Sequence, residues 1–345
     1  MAATIKDVAR RAKVSVASVS RAMNGSGGIS ESTRQRILRV ARKLHYTPHG
    51  AAHSLITRRT HTVGVVLPDM HGEFFSELIR GIDRAARSHG LHLLVSSSHG
   101  DAAEAAAALR AMHGRVDGLL VMSLHVDAAF IEANLPEGAP LVLINTHLAN
   151  SQHPLFTVDN YGGATAMMRH LVGRGHRRIA LIAGPDSNFE ARERLRGYRE
   201  GLAHLLPGTP ELVLHGDFTE ESGFRAGRQV LALAERPNAV FASNDMMAIG
   251  CLFALKEANV AVPGEIAVTG YDDIPIARYL APPLTSVRVC ITELGALALE
   301  RLALGIEDPE KIEPTVQTLR TELVVRGSCG RARELAAVGA SPNPR

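Results

Sequence analysis

Arg21 closes a short run, Val16-Ala17-Ser18-Val19-Ser20-Arg21, whose residue types suit contact with the edges of base pairs. A guanidinium can bond guanine O6 and N7 together, a contact worth about 1–3 kcal/mol of discrimination. Val16 and Ala17 have no side-chain hydrogen bond to offer and can only sense thymine methyls. Thr4, Ser15, Ser18, Ser20 and Asn24 are short polar groups of the kind that touch phosphates, which positions a protein without specifying sequence. The alternative for Arg21 is a solvated arginine on a helix face. A second set of polar residues follows the apolar runs further along: Pro68-Asp69, Asn145-Thr146, Asp159-Asn160, the loop Gly184–Arg194, Asn244-Asp245 and Tyr271-Asp272-Asp273. Paired Asp and Arg suit a polyhydroxylated ligand, because a carboxylate accepts two hydroxyls and a guanidinium donates as a fixed fork. No GxxxxGK[ST], HExxH or GxSxG pattern occurs, nor a GxGxxG after a strand, so no catalytic residue is expected. The sixteen histidines fall at no metal-ligand spacing, and neither a metal nor a cofactor is expected.

Three short helices must position the first set. Thr4 can cap a helix over Ile5 to Ala12, with Ile5, Val8, Ala9 and Ala12 on one face. Ser15 can cap a second, Val16–Met23, turned inward at Val19 and Ala22 or Met23 and ended by Asn24-Gly25. Ser30 can cap a third, Glu31–Leu44, whose stripe is Ile37, Leu38, Val40, Ala41 and Leu44. Two helices joined by a turn of about four residues, with a third closing the core, make a helix-turn-helix, and its second helix enters the major groove.

Charge supports that assignment. Residues 1–60 hold twelve Lys/Arg and two acids, a net +10, against −7 for the remainder. A basic module on a mildly acidic body is the footprint of a polyanion binder. With 345 residues, 46% of them hydrophobic, the chain has room for two or three domains. No apolar run reaches the roughly 18 residues of a membrane span, and the start, MAATIKDVARRAK, has no signal-peptide stretch. A cytoplasmic, nucleoid-associated protein with no membrane partner is expected, its Cys251, Cys290 and Cys329 reduced.

The run TIKDVARRAKVSVASVSRAMN, followed by ISESTRQRILRVARKLHYTPHGAAHSL, resembles the lactose repressor/galactose repressor (LacI/GalR) family. The resemblance implies that Val16, Ala17 and Arg21 face bases. It implies a hinge helix over Pro48 to Leu55, with Ala52 and Leu55 in the minor groove and Leu55 wedged between central base steps. His49-Gly50 departs from the family pattern of asparagine and a larger residue, and Gly50 lowers helix propensity.

Beyond Thr62 apolar runs alternate with helical stretches. Candidate strands are Thr62–Leu67, Leu91–Ser97, Gly118–Met122, Leu141–Asn145, Arg178–Ala183, Leu212–Leu214, Ala239–Ala242 and Ile266–Gly270. Candidate helices are Phe74–Ser88, Ala102–Met112, Gly163–Arg174, Arg192–His204, Ser222–Ala234 and Met246–Asn259. The alternation implies parallel sheets flanked by helices. The architecture looks like a two-lobed periplasmic binding protein, with crossings near 157–160, 285–288 and 315–320. The expected division is residues 1–47 as the all-α helix-turn-helix domain and 48–60 as hinge helix and linker. Residues 61–330 would form the α/β effector-binding and dimerisation domain, and 331–345 a disordered tail.

Ligands collect at the carboxyl ends of strands in such sheets, which draws in Asp159. The resemblance implies ligand contacts from Phe74, Phe75, Arg192, Arg194, Asn244 and Asp272. Arg192 and Arg194 could instead pair with Glu190 or Glu193, Asp272 could cap a helix, and Phe74 could be core. The expected function is a sequence-specific transcription regulator, a repressor on a near-palindromic double-stranded operator. Its control would come from a small effector of the sugar class. The tail RARELAAVGASPNPR has no sustained heptads, so a homodimer is expected rather than a tetramer. The alternative is a transport-type ligand carrier with no DNA role, against which the basic helix-turn-helix weighs.

Overall fold

The computed structural model describes residues 3–24, 28–46, 59–123, 127–135, 138–146 and 151–330. The chain divides into two compact units, Met1–Thr60 and His61–Arg345.

The first unit is three helices: α1 (Ile5–Ala12), α2 (Val16–Asn24) and α3 (Glu31–Lys43). Their starts follow from short polar residues that accept from orphan N–H groups of the first turn. Thr4 and Asp7 form a capping box at α1: the Thr4 N–H donates to Asp7 Oδ2 at 3.0 Å and the Asp7 N–H to Thr4 Oγ1 at 3.4 Å. Lys13, left-handed at φ 53°, ends that helix. The Ser18 N–H donates to Ser15 Oγ at 3.1 Å, and the Thr33 N–H to Ser30 Oγ at 3.4 Å. Val8, Ala9, Ala12, Val19, Ala22, Ile37 and Ala41 form the buried core, with Ile5, Met23 and Leu44 packed around it.

The second unit holds two six-stranded sheets. The first sheet and its helices take β1 (Thr62–Leu67), α4 (Glu73–Ser88), β2 (His92–Ser97), α5 (Ala102–Met112), β3 (Gly118–Val121), α6 (Ala128–Asn134), β4 (Leu141–Ile144) and β5 (Leu155–Val158). The chain then enters the second: α7 (Asn160–Gly173), β6 (Ile179–Ala183), α8 (Phe189–Leu205), β7 (Val213–His215), α9 (Glu220–Ala232), β8 (Ala239–Ala242), α10 (Asp245–Glu257) and β9 (Ala267–Asp272). A 3-10 turn, Pro275–Tyr279, leads to β10 (Thr285–Arg288). From there α11 (Ile291–Glu307) returns to pack on α4 and the first sheet. The strand β11 (Val316–Leu319) joins the first sheet beside β5, and β12 (Glu322–Val324) pairs with β10 in the second. The chain thus passes between lobes three times, at 159–160, 289–290 and 320–321.

Most strands are continuous apolar runs because helices cover both faces; β3, β4 and β8 are buried along their whole length. Every pairing is parallel except β10 with β12. Where α4 meets α11, Gly81 and Gly295 bring the backbones so close that neither position has room for a Cβ. The strand orders are β11-β5-β4-β3-β1-β2 and β12-β10-β9-β8-β6-β7. Each reverses direction once, between β1 and β3 and between β6 and β8. Those switch points are where open α/β sheets leave a crevice at their carboxyl ends. No helix among the described residues is long and apolar enough to cross a membrane.

Candidate functional site

The first unit leaves one face of α2 exposed. Its inward residues Val19 and Ala22 are buried, which by helical phase turns Val16, Ala17 and Arg21 outward; Val16 is 41% exposed, an unusual place for a valine. Ser15 and Ser18 meet each other across 2.9 Å at the start of α2, and Thr4 is committed to Asp7. These hydroxyls therefore serve first as caps, and a phosphate would share them. Ser20 is half-buried, and the side chain of Asn24 lies outside the described residues. Ala52 and Leu55, with the whole of 48–58, also lie outside them.

In the second unit a cavity of about 210 Å³ opens at the carboxyl ends of both sheets. That is below the ~300–1,000 Å³ of sites for drug-sized molecules and suits a small ligand. Pro68 and Asp69 after β1, Met122 and Ser123 after β3, and Asn145 after β4 line it from the first lobe, with Phe74 and Phe75 of α4. The two rings meet edge to face at 5.4 Å. Pro185, Asn188, Glu190 and Arg194 line it from the β6 loop and α8, joined by Asp217, Phe218, Asn244 and Asp272.

Arg194 organises the second lobe's wall and is 6% exposed. Its Nε donates to Asn160 Oδ1 at 2.8 Å, and its Nη1 donates to the Ser243 carbonyl. Its guanidinium carbon lies 3.9 Å over the Tyr271 ring. Its Nη2 stands 3.3 Å from Asp272 Oδ1, an ion pair short of hydrogen-bond geometry. Burial pushes the Asp272 carboxyl up to about 6, against the pull of the Arg194 guanidinium. Asp272 also carries φ 103°, a backbone setting that disfavours any side chain. Such strain persists where the surroundings over-determine it, typically at functional sites. The Tyr271 hydroxyl donates to the Asp159 and Asn160 carbonyls at 3.4 and 3.3 Å, so the wall of the cleft is bonded to the first crossing.

The structure brings Phe74, Phe75, Arg194, Asn244 and Asp272 to one cavity and leaves two expected residues out. Asp159 caps α7, accepting from the Gly162 N–H at 2.8 Å, and faces solvent; its neighbour Asn160 is the one that meets Arg194. Arg192 is exposed, donates to the Asp186 carbonyl at 2.8 Å and lies beside Phe189. Two residues apart on one helix, Arg192 and Arg194 point about 200° apart, so one cleft cannot take both. Asn244 is partly committed, its Oδ1 capping α10 through the Met247 N–H and its Nδ2 donating to the Phe218 carbonyl, both at 2.9 Å. Residue type does not single out Met122, Ser123, Asp217 and Phe218, though Met122 ends a candidate strand and the others follow one. Glu190 belongs to the loop Gly184–Arg194, where residue type alone gives it an ion-pair role with Arg192 or Arg194. Asp245 turns away from the cavity: it accepts from Ser286 Oγ at 2.6 Å and from the Ile274 N–H at 2.9 Å. Burial, with the Asp272 charge, holds the Asp245 carboxyl well above its ordinary range. Asp273 takes the Arg288 Nε at 2.8 Å and lies 2.6 Å from Arg326 Nη1, which ties β9 to β10 and the segment after β12.

The chain matches two family models: bacterial regulatory proteins of the lacI family over residues 4–49, and a periplasmic binding protein-like domain over 168–329. It is 36% identical to the ribose operon repressor of Escherichia coli K12 across 94% of this chain and 99% of that one. It is 34% identical to the transcriptional repressor CytR of the same organism, across 95% and 96%. Among solved structures it is similar to the lac repressor dimer bound to operator and the anti-inducer ONPF. There the TM-score is 0.85 at 27% identity, over 96% of this chain and 100% of that one. It is also similar to the regulator CelR in complex with cellobiose, with TM-score 0.70 at 33% identity over 94% and 99%.

Proposed function

The chain belongs to the LacI family of bacterial DNA-binding transcription regulators, and from that premise we propose a repressor whose hold on its operator is set by a sugar-class ligand. The observation that carries the reading is the Arg194–Asp272 ion pair, buried in the cleft wall and bonded through Asn160 and Tyr271 to the crossing between lobes. A ligand that exchanges its hydroxyls with that pair changes the forces on the crossing. Control requires only that the ligand bind one lobe arrangement better than the other.

We assign residues 1–47 to DNA recognition, 48–60 to the hinge and linker, 61–330 to ligand sensing and pairing, and 331–345 to a tail. Val16, Ala17 and Arg21 read bases; Thr4, Ser15, Ser18, Ser20 and Asn24 contact the backbone; Ala52 and Leu55 enter the minor groove. Phe74, Phe75, Arg194, Asn244 and Asp272 receive the ligand. Pairing into a homodimer is supported by an apolar groove lined by Ile249, Leu252, Phe253 and Leu280, where Phe253 is 55% exposed. A two-fold dimer places the two reading helices on a near-palindrome. We place the protein in the cytoplasm, on the nucleoid, and assign it no catalytic step. A ligand carrier would have no use for the basic first unit.

Operator binding measured by gel shift, with and without sugars, tests the reading. Ligand-dependent change in the shift is expected, and absence of any shift on DNA carrying the operator overturns it. Asp272→Ala should keep operator binding and lose the ligand response; retained response removes Asp272 from the site. Leu55→Ala should reduce DNA bending and operator affinity while ligand binding stays intact.

A further inference from the structure

Glu190 stands in the first turn of α8, lines the cavity and is 4% exposed. Neither of its carboxyl oxygens has a hydrogen-bond partner among the described residues. Asn188 and the first-turn backbone lie near, but none reaches hydrogen-bond geometry. Two more cavity acceptors, Asp272 Oδ1 and Asn145 Oδ1, are buried in the same condition. Arg194, which could have satisfied Glu190, is spent on Asn160, the Ser243 carbonyl and Asp272. Buried acceptors without donors are costly and call for a partner from outside. Burial raises the Glu190 carboxyl above its ordinary range, consistent with a group lacking its donors.

Charge narrows the partner further. Asp69, Asp217, Glu190 and Asp272 line the cavity against a single cation among the described residues, Arg194, for a formal charge of −3. Asp217 is already satisfied by Thr219 and Arg225 outside the cavity. A phosphate brings about −1.5 to −2 further charge and finds no uncommitted cation there. The Phe74 and Phe75 rings offer an apolar wall to the face of a sugar ring.

Resting on the effector reading above, we propose that Glu190 is a ligand-recognition residue accepting two donors. The effector is then an unphosphorylated sugar, neutral or amino-bearing, whose adjacent hydroxyl or amino groups reach Glu190. Sugar phosphates and sugar acids are excluded.

Calorimetric titration of the full chain with ribose, glucose, glucosamine, ribose 5-phosphate, glucose 6-phosphate and glucuronate tests this. At least one neutral or amino sugar should bind, and its phosphate ester or acid should bind at least ~100-fold more weakly, the scale of several kcal/mol for juxtaposed like charges. Glu190→Gln should weaken the bound sugar about tenfold and shrink the gap between parent sugar and ester. A merely structural role would leave that ratio unmoved. An ester or acid binding within about threefold of its parent overturns the proposal, and does so on the wild-type chain whatever the variant's fold. So does wild-type sugar affinity in a folded Glu190→Gln. If nothing in the panel binds, the sugar-class reading falls as well, which separates the two failures.

Discussion

The two units keep their working residues in opposite environments. Val16, Ala17 and Arg21 stand exposed on a nine-residue helix over a core of seven buried side chains. Arg194, Asp272 and Glu190 are 6%, 5% and 4% exposed in a cleft between two sheets. The helix α2 folds on its caps and core, so the residues proposed to meet DNA do not hold the unit together. In the cleft, Arg194 and Asp272, proposed to meet ligand, also neutralise one another. A substitution on the reading face should therefore alter binding alone, whereas one in the cleft should alter binding and folding together.

The hardest test of that contrast is Arg194→Ala. It leaves Asp272 buried without its cation, and breaking such a pair costs about 3–5 kcal/mol. Calorimetric unfolding should show the second unit destabilised and the ligand response lost; an unchanged melt would remove the distinction. Ile37→Ala is next, at about 2–5 kcal/mol for a buried isoleucine. In so small a core that is enough to unfold the first unit, abolishing operator binding while the second unit's melt stays put. Arg21→Ala should cost about 1–3 kcal/mol of operator affinity, read by fluorescence anisotropy, with both melts unchanged.

The pH response separates the units without mutation. Burial pushes the Asp272 carboxyl up to about 6, above its ordinary 3.8. Its contribution to stability is present below pH 4 and is lost as pH rises through 6. Ligand hydroxyls favour the ionised form, so ligand affinity should rise by up to about tenfold between pH 5 and 7, and Asp272→Asn should flatten that slope in calorimetry. Smallest of all, Thr4→Ala removes the capping box of α1 at about 1 kcal/mol, visible as a modest fall in the first unit's melting temperature.

Legibility followed the same division. Caps and turns are local, so α2 was expected over Val16–Met23 and runs Val16–Asn24. The strands Thr62–Leu67 and Ala239–Ala242 have the ends that their apolar runs imply. The helix Ile291–Glu307 went unread. Its N-cap is Cys290, which makes no side-chain cap bond, and its ITELGALALERLALGIE run is apolar on more than one face. Strands β10, β11 and β12 were read only as crossings or not at all. They are three or four residues long, and β5, the partner of β11, lies far away in sequence. In the cleft, residue type alone does not separate Arg192 from Arg194; helical phase does. Nor does it mark Glu190, whose carboxyl oxygens lack a hydrogen-bond partner among the described residues.

The three passages between lobes also set a timetable for the chain as it is made. The first sheet waits for β11 at its edge and for α11 against α4, and both are synthesised after nearly the whole second lobe. Until residue 319 has left the ribosome, β5 is an open strand edge of the kind other chains can pair with. The Gly81 surface is bare until α11 has emerged. The second lobe, by contrast, lacks only the short β12 and the segment that follows it. The lobe that emerges first thus waits for parts made after most of the second, and a chain that has emerged as far as residue 290 would hold a nearly finished second lobe beside an unfinished first.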